Sequence, residues 1–288
     1  MSKTPFPAII APVSIHNTKP PLILVTNDDG ITSPGLWATV RAVLPLGTPL
    51  VVAPDRQWSG AGRSMPPGPE GRIARYPLEV DGRSITAYQV DASPALTVLH
   101  GLLELAPRQP ALLISGINFG ENLGSDVTIS GTVGAALQGA VSGVPSMAIS
   151  LQTPKENHTN HSDDVDFAAA IHFTRLFARM MLQTTLPFDV DALKIDVPDD
   201  ATPDTPWRLT RVSRYAGFNP IPQRRANLAE PTPIDYEPTA HPERAEPDSD
   251  LYAMRVERAV SVAPLSLDLT SRADFEELES LLCGPAAR

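Results

Sequence analysis

The chain has a single cysteine, Cys283, in 288 residues. One thiol excludes an intrachain disulfide and a zinc–cysteine cluster, and it points to a reducing compartment. The expected location is therefore cytoplasmic. Positive charge is also scarce: 23 Lys and Arg stand against 33 Asp and Glu, for a net charge of −10. Phosphate backbones need a cationic face, so the balance speaks against a nucleic-acid polymer or an anionic membrane as partner. A small phosphate group held at one local site stays compatible with it. No apolar run approaches the roughly 18 residues of a membrane span. The opening stretch, MSKTPFPAIIAPVSIHNTKPP, is broken by prolines before a leader core could form. Residues 1–20 read as a loose extension.

What the chain does have is alternation. LILVT (22–26) is a continuous apolar run, as expected of a strand buried on both faces. Ser33-Pro34 then offers a helix cap and a first-turn proline, and Leu36, Val40, Val43 and Leu44 follow on one helical face. PLVVAP (49–54) is the next strand, which completes a β-loop-α-β unit. Residues 59–70 read as a loop. Asp81-Gly82 marks a hairpin turn into SITAYQV, and Ser93-Pro94 starts a second helix. ALLISG (111–116), SMAISL (146–151) and LKIDVP (193–198) are further strands. They alternate with a small-residue helix from about Thr132 to Ser142 and a strong helix over 165–183. This pattern predicts an α/β fold with a doubly wound sheet and helices on both faces.

We expect residues 21–200 to form the α/β core and 201–288 a C-terminal segment. Within that segment, residues 215–250 hold seven prolines and no periodicity. They read as a long loop that is functional, an assembly element, or disordered. Strand character is expected over 251–269, and a terminal helix over 272–282.

Three segments share one layout, an apolar strand running into a polar glycine loop: LILVT-NDDG, LVVAP-DRQWSG and ALLIS-GINFGENLGSD. In an open parallel sheet the loops at the C-terminal strand ends form the ligand site, so these three should meet. They would gather Asp28 and Asp29, the Ser59 hydroxyl, and the amides of Asn118 and Asn122. Adjacent carboxylates repel unless something positive lies between them. An all-oxygen set without thiolate suits Mg²⁺ or Mn²⁺ better than zinc.

SGTVGAA (130–136) supplies a second part. Ser130 would cap a helix whose first residues are small. Its exposed N–H groups, Gly131 and the Ser130 and Thr132 hydroxyls would then form an anion site. A divalent metal beside an anion cradle suggests phosphoester hydrolysis. One aspartate would ligate while the other acts as general base or attacks directly; sequence does not choose between water and Asp28 as nucleophile. Several tempting residues read as ordinary. His158 and His161 sit in a polar stretch and suggest a solvated loop, and His100 and His172 read as helix residues. Trp58 could stack on a base or cover a loop edge. Arg56 and Arg63 could hold phosphate or pair with nearby carboxylates.

LVTNDDGITSPGL, VVAPDRQWSGAGRSM and SGINFGENLGSDVTISGTVGAALQG together resemble the SurE family of metal-dependent survival-protein nucleotidases. LKIDVP and SVAPLSLDLT resemble later family segments. The resemblance implies a three-layer, Rossmann-like αβα fold with a mostly parallel sheet. It also implies hydrolysis of nucleoside 5′- and 3′-monophosphates and of short polyphosphate. One divalent ion would be held by Asp28, Asp29, Ser59 and Asn118, with Asp28, Asp29 and Asn118 in catalytic roles. Asn27, Asn122, Ser130, Gly131 and Thr132 would take phosphate and substrate. A homodimer or homotetramer that exchanges C-terminal elements is also implied, with 215–250 as the arm. Where the family usually has Asn, Tyr, Glu, Asp and Gly-Tyr, this chain has Arg63, Ile129, Gln138, Leu96 and Arg258-Ala259. The proposed ligands are intact.

Two other readings compete. A non-catalytic nucleotide- or metal-binding protein on the same fold would gain little from paired carboxylates beside a phosphate. A metal-dependent glycosyltransferase would need an acceptor domain, and the irregular C-terminal third does not resemble one.

Overall fold

A computed structural model describes residues 19–68, 70–160, 162 and 164–283. The expected N-terminal extension falls almost wholly outside the described residues, as does His161.

The order of elements follows the apolar runs. The first is β1 (Leu22–Thr26), buried at all five positions, then α1 (Pro34–Val43) and β2 (Thr48–Pro54). A hairpin of β3 (Ile73–Val80) and β4 (Arg83–Val90) turns at Asp81-Gly82. Next come α2 (Pro94–His100), β5 (Leu112–Phe119), α3 (Gly131–Val141), β6 (Ser146–Leu151), α4 (Ala168–Gln183) and β7 (Ala192–Val197). The C-terminal part adds β8 (Trp207–Leu209), β9 (Phe218–Ile221), β10 (Asp235–Pro238), α5 (Asp250–Arg255), β11 (Val260–Leu265) and α6 (Phe275–Cys283).

Nine strands form one sheet in the order β3-β4-β2-β1-β5-β6-β7-β11-β8. It is mostly parallel; β3 and β11 run antiparallel to β4 and β7. The sheet continues across residue 200, because β11 and β8 extend it beyond β7. Its two faces are covered differently. One carries the main core, where Leu36 and Val40 of α1 and Phe173 and Phe177 of α4 pack on Ile23, Val25 and Ile114. The other is covered by α2 and α3 and is thinner. The result is three layers, helix–sheet–helix.

Strand order fixes where a ligand could enter. From β1 the chain passes through α1 to β2 on one side, whereas β5 pairs with β1 on the other. The switch point therefore lies between β1 and β5, and a crevice opens beyond their C-terminal ends. Asp28 follows β1 there and Asn118 closes β5 there.

Two expectations for the C-terminal part need correction. Residues 215–250 are not one structureless loop: β9 and β10 pair as an antiparallel ribbon, with Phe218 opposite Pro238 and Pro220 opposite Tyr236. A two-stranded ribbon has an unpaired side on each strand, so proline's missing donor is tolerated there, and that hid the strands from a periodicity reading. Residues 251–255 belong to α5 rather than to a strand. Ser249 caps this helix, its Oγ accepting from Tyr252 N at 3.2 Å. Six residues are too few to display a helical period.

Candidate active site

Four loops close on two buried carboxylates. Asp28 and Asp29 are each 4% exposed. The Thr132 hydroxyl, at the start of α3, donates to Asp28 Oδ1 at 2.5 Å. Phe119 N, at the end of β5, donates to Asp29 Oδ2 at 3.3 Å. From the loop after β2, Gln57 Nε2 reaches Asp29 Oδ1 at 3.3 Å and Ser59 Oγ at 2.8 Å. Trp58 N donates to the Asp28 carbonyl at 2.7 Å. The three strand–loop segments and the capped helix thus share one site, as their layout predicts.

The local reasons are visible in the chain. Both ends of the Asn27 amide bond to Gly30, which folds the turn that places the carboxylates; Asn27 is committed to loop shape. Ser130 caps α3, its Oγ accepting from Val133 N at 3.1 Å. The small residues at the start of α3 let it approach closely. A Cβ on Gly131 would lie 2.7 Å from Asp28 Oδ2, and one on Gly134 would lie 2.4 Å from the Gly62 backbone. The register of β5 against β6 shifts between Ser115 and Asn118, a bulge that re-aims Asn118 at the strand tip.

Burial and charge both act on Asp28. Burial pushes Asp28 up to about 7, the Asp29 carboxylate adds to the rise, and the Thr132 hydrogen bond only partly opposes it. Among the described residues there is no group of three or more His, Cys, Asp or Glu suited to a metal. A cation here would draw its remaining ligands from neutral oxygens. Ser59 Oγ is exposed at the mouth. Asn118 Nδ2 donates to the Gly120 carbonyl at 2.7 Å, which leaves the amide oxygen as its ligand atom. Two buried carboxylates with hydroxyl and amide oxygens around them fit a hard divalent ion.

Asn122 is engaged elsewhere. Its amide donates to Ser150 Oγ at 2.8 Å, its N–H to Asp196 Oδ1 at 2.7 Å, and its carbonyl accepts from Lys194 Nζ at 2.8 Å. It ties the loop after β5 to a buried cluster in which Lys194 pairs with Asp196 and, at 3.0 Å, with Asp250. All three of these side chains are fully buried.

Two site residues escape a sequence reading. Gln57 bridges three groups, and nothing in DRQWSG separates it from its neighbours. His158 is not the solvated loop residue its polar neighbours suggest. Its carbonyl accepts from Gln57 Nε2 at 2.6 Å. Its ring pairs with the Tyr236 hydroxyl at 2.9 Å and meets Phe218 edge-on. Burial lowers its pKa, although the Thr153 carbonyl and the nearby Asp29 favour the protonated ring. The aromatic partners lie about 60 and 78 residues downstream on the ribbon, the only signal that could have marked it. Other residues fit their plainer readings: Arg56 pairs with Asp55 and Asp91 and covers the Trp58 ring, and Arg63 is exposed.

Comparison with known proteins points to one family. A family described as Survival protein SurE matches residues 23–217. A protein of Thermococcus gammatolerans named 5′-nucleotidase SurE is 39% identical over 262 residues, covering 91% of this chain and 96% of its own. Its namesake in Thermococcus kodakarensis is 39% identical over 269 residues, covering 90% and 98%. The crystal structure of SurE protein from Aquifex aeolicus superposes with a TM-score of 0.72 at 29% identity, covering 91% of this chain and all of that one.

Proposed function

The chain belongs to the SurE family, and from that premise and the site we infer that it is a phosphoric monoester hydrolase acting on nucleoside monophosphates. We take the reaction to be divalent-metal-dependent, with both 5′- and 3′-esters and short polyphosphate as substrates. The observation that carries this reading is the meeting of Thr132, Phe119 and Gln57 on Asp28 and Asp29, from loops far apart in the chain.

Asp28, Asp29, Ser59 and Asn118 would hold Mg²⁺ or Mn²⁺, which when bound supplies Lewis acidity toward a phosphoryl oxygen. The protein groups divide the remaining work. The Ser130 hydroxyl and the N–H groups that open α3 orient the phosphoryl group and stabilise its charge, while the Thr132 hydroxyl, which donates to Asp28, holds that carboxylate in place. Gly131 lets that group approach the backbone. An aspartate carboxylate takes up the proton released by the attacking group, or itself attacks phosphorus. The buried β1 and β5 tips limit the access of bulk water.

Two further features are placed with the reading. Oligomerisation is supported by α6, none of whose residues is buried and whose Phe275, Leu281 and Leu282 are exposed. Such a face calls for a partner, and we assign it to a homodimer or homotetramer; a monomeric mass in light scattering would refute this. No described helix is long and apolar enough to cross a membrane, which is compatible with a cytoplasmic enzyme.

The test is phosphate release from a nucleotide panel with Mn²⁺, Mg²⁺ or EDTA, for the natural protein, Asp28→Asn and Asp29→Asn. Activity should require metal and fall at least about a hundredfold in either variant, the scale of losing a main charge-stabilising group. Metal-independent turnover, or unchanged turnover in both variants, would contradict the mechanism. The non-catalytic alternative predicts nucleotide binding with no phosphate release.

A further inference from the structure

Beside the carboxylates lies a cavity of about 200 Å³ that the chemistry above does not use. It is bounded by Glu121 from the loop after β5, Thr153 beyond β6, His158, Phe218 and Pro238 of the ribbon, and Arg255 of α5. It adjoins the active site through His158, whose carbonyl is held by the same Gln57 that reaches Asp29. It also adjoins it through Glu121, three residues past Asn118.

The polar lining of this cavity is incomplete. Glu121 Oε1 is paired with Arg255, but Oε2 is buried with no hydrogen-bond partner among the described residues. Thr153 Oγ1 and His158 Nε2 are in the same condition. Glu121 is 5% exposed and Thr153 is 8% exposed, so bulk water does not readily serve either. Buried polar atoms are normally satisfied, and an unsatisfied one costs about 1–3 kcal/mol. Three at one cavity beside a reactive centre point to a ligand that completes them.

The unpaired set is a carboxylate oxygen, a hydroxyl and an imidazole nitrogen. A ligand carrying adjacent hydroxyls, each both donor and acceptor, satisfies all three. A carboxylate facing ribose hydroxyls is also how dinucleotide folds hold a sugar. The volume is below the roughly 300–1,000 Å³ of a whole drug-sized ligand, so it takes one part of a nucleotide. Phe218 and Pro238 offer apolar walls to the carbon face of a sugar ring.

We propose that this cavity is the sugar subsite of a ribonucleotide whose phosphate lies at Asp28 and Asp29, with Glu121 Oε2 and Thr153 Oγ1 holding the ribose hydroxyls. The assignment rests on the nucleotidase reading and adds to it a preference for ribose over deoxyribose.

The experiment compares kcat/KM for adenosine 5′-monophosphate, its 2′-deoxy and 3′-deoxy analogues, and p-nitrophenyl phosphate, which has no sugar. It uses the natural protein, Glu121→Gln and Thr153→Val; the valine variant is nearly isosteric and leaves the Glu121–Arg255 pair intact. Calorimetric titration of the metal-free protein with adenosine gives a second readout. The natural protein should prefer at least one ribose hydroxyl about tenfold. In both variants that preference should collapse toward unity, the ratio of nucleotide to p-nitrophenyl phosphate turnover should fall about tenfold, and adenosine should bind correspondingly more weakly. Equal losses on the nucleotide and the aryl phosphate, or unchanged adenosine binding in both variants, would overturn the proposal. Absence of any phosphomonoester hydrolysis by the natural protein with metal would overturn the nucleotidase reading instead, and adenosine binding would still report on the cavity.

Discussion

Two of the protein's buried acidic clusters are built in different ways. Around Lys194, two carboxylates, Asp196 and Asp250, share a lysine supplied by the fold. Burial alone would discharge that lysine, but the two aspartates outweigh it and hold its pKa above the ordinary value. At the end of β1, Asp28 and Asp29 are buried almost as deeply, and the fold supplies hydrogen bonds to them, while burial and the neighbouring Asp29 push Asp28 up. The first cluster is complete within the chain and acts on structure: Lys194 Nζ and Asp196 hold Asn122, and Asp250 accepts from Gly124 N and Ser213 N. It thereby braces the loop that follows Asn118 and the end of β5. The second cluster lies at the crevice beyond β1 and β5, where the proposed cation would bind. A lysine of β7 set between an aspartate of its own strand and one that opens α5 makes a structural charge cluster; paired carboxylates at a strand tip in the ligand crevice make a binding one.

The largest test of this contrast removes the internal cation. Lys194→Met keeps the volume and leaves Asp196 and Asp250 buried with no positive partner. Breaking such a cluster from one side costs about 3–5 kcal/mol, to be read from urea denaturation at pH 7. A loss under about 1 kcal/mol would mean that Lys194 does not neutralise the cluster and that the contrast is false.

The next test is pH, where the other cluster should respond. Asp28 has its folded pKa raised to about 7 from 3.8, so the folded state holds this proton more tightly than the unfolded chain. Its contribution to stability is fully present below pH 4 and is lost as pH rises through about 7. At 1.36 kcal/mol per unit, the metal-free protein should lose on the order of 4 kcal/mol from this group across that window. Asp28→Asn should lack that part of the slope, so the difference between the two denaturation series isolates Asp28 from other titrating groups, Asp196 included. Adding Mn²⁺ or Mg²⁺ above pH 7 should restore stability to the natural protein and not to the variant. Identical pH profiles for the two proteins would refute the assignment.

The same contrast explains what could be read in the chain before its fold was known. Strand-to-loop transitions are local, so LILVT running into NDDG and ALLIS running into GINFG placed Asp28 and Asn118 at strand tips; parallel topology then brought the tips together. The cap at Ser130 is equally local. Lys194 was not legible as a buried charge, because LKIDVP reads only as a strand and the partner Asp250 lies 56 residues on. His158 failed for the same reason: its burial is made by Phe218 and Tyr236, on a ribbon whose prolines disguise its strands. Arg258 shows the limit from another side. It stands where the family usually has glycine, in a left-handed conformation with φ of 54°. Its guanidinium is gripped by Asp199, Asp200 and Gln152, contacts that offset the strain and have no signature in the sequence.

The smallest expected effect touches only the cluster at the end of β1. Gly131→Ala adds one methyl group, whose carbon would fall 2.7 Å from both Cβ and Oδ2 of Asp28. No real Cβ tolerates that distance, and a buried aspartate flanked by Thr132 and Asp29 has little room to retreat. Either Asp28 turns away from Thr132 or the start of α3 shifts outward. Both moves separate the helix end from the carboxylate and narrow the approach for a phosphoryl group. Overpacking of this kind costs about 1–3 kcal/mol, which should appear as a lower melting temperature. Phosphate release should fall further than that destabilisation alone explains, because the folded fraction at 25 °C stays near unity while the site is misplaced. If the alanine variant melts earlier yet turns over at the natural rate, the contact between Gly131 and Asp28 matters for packing and not for the reaction.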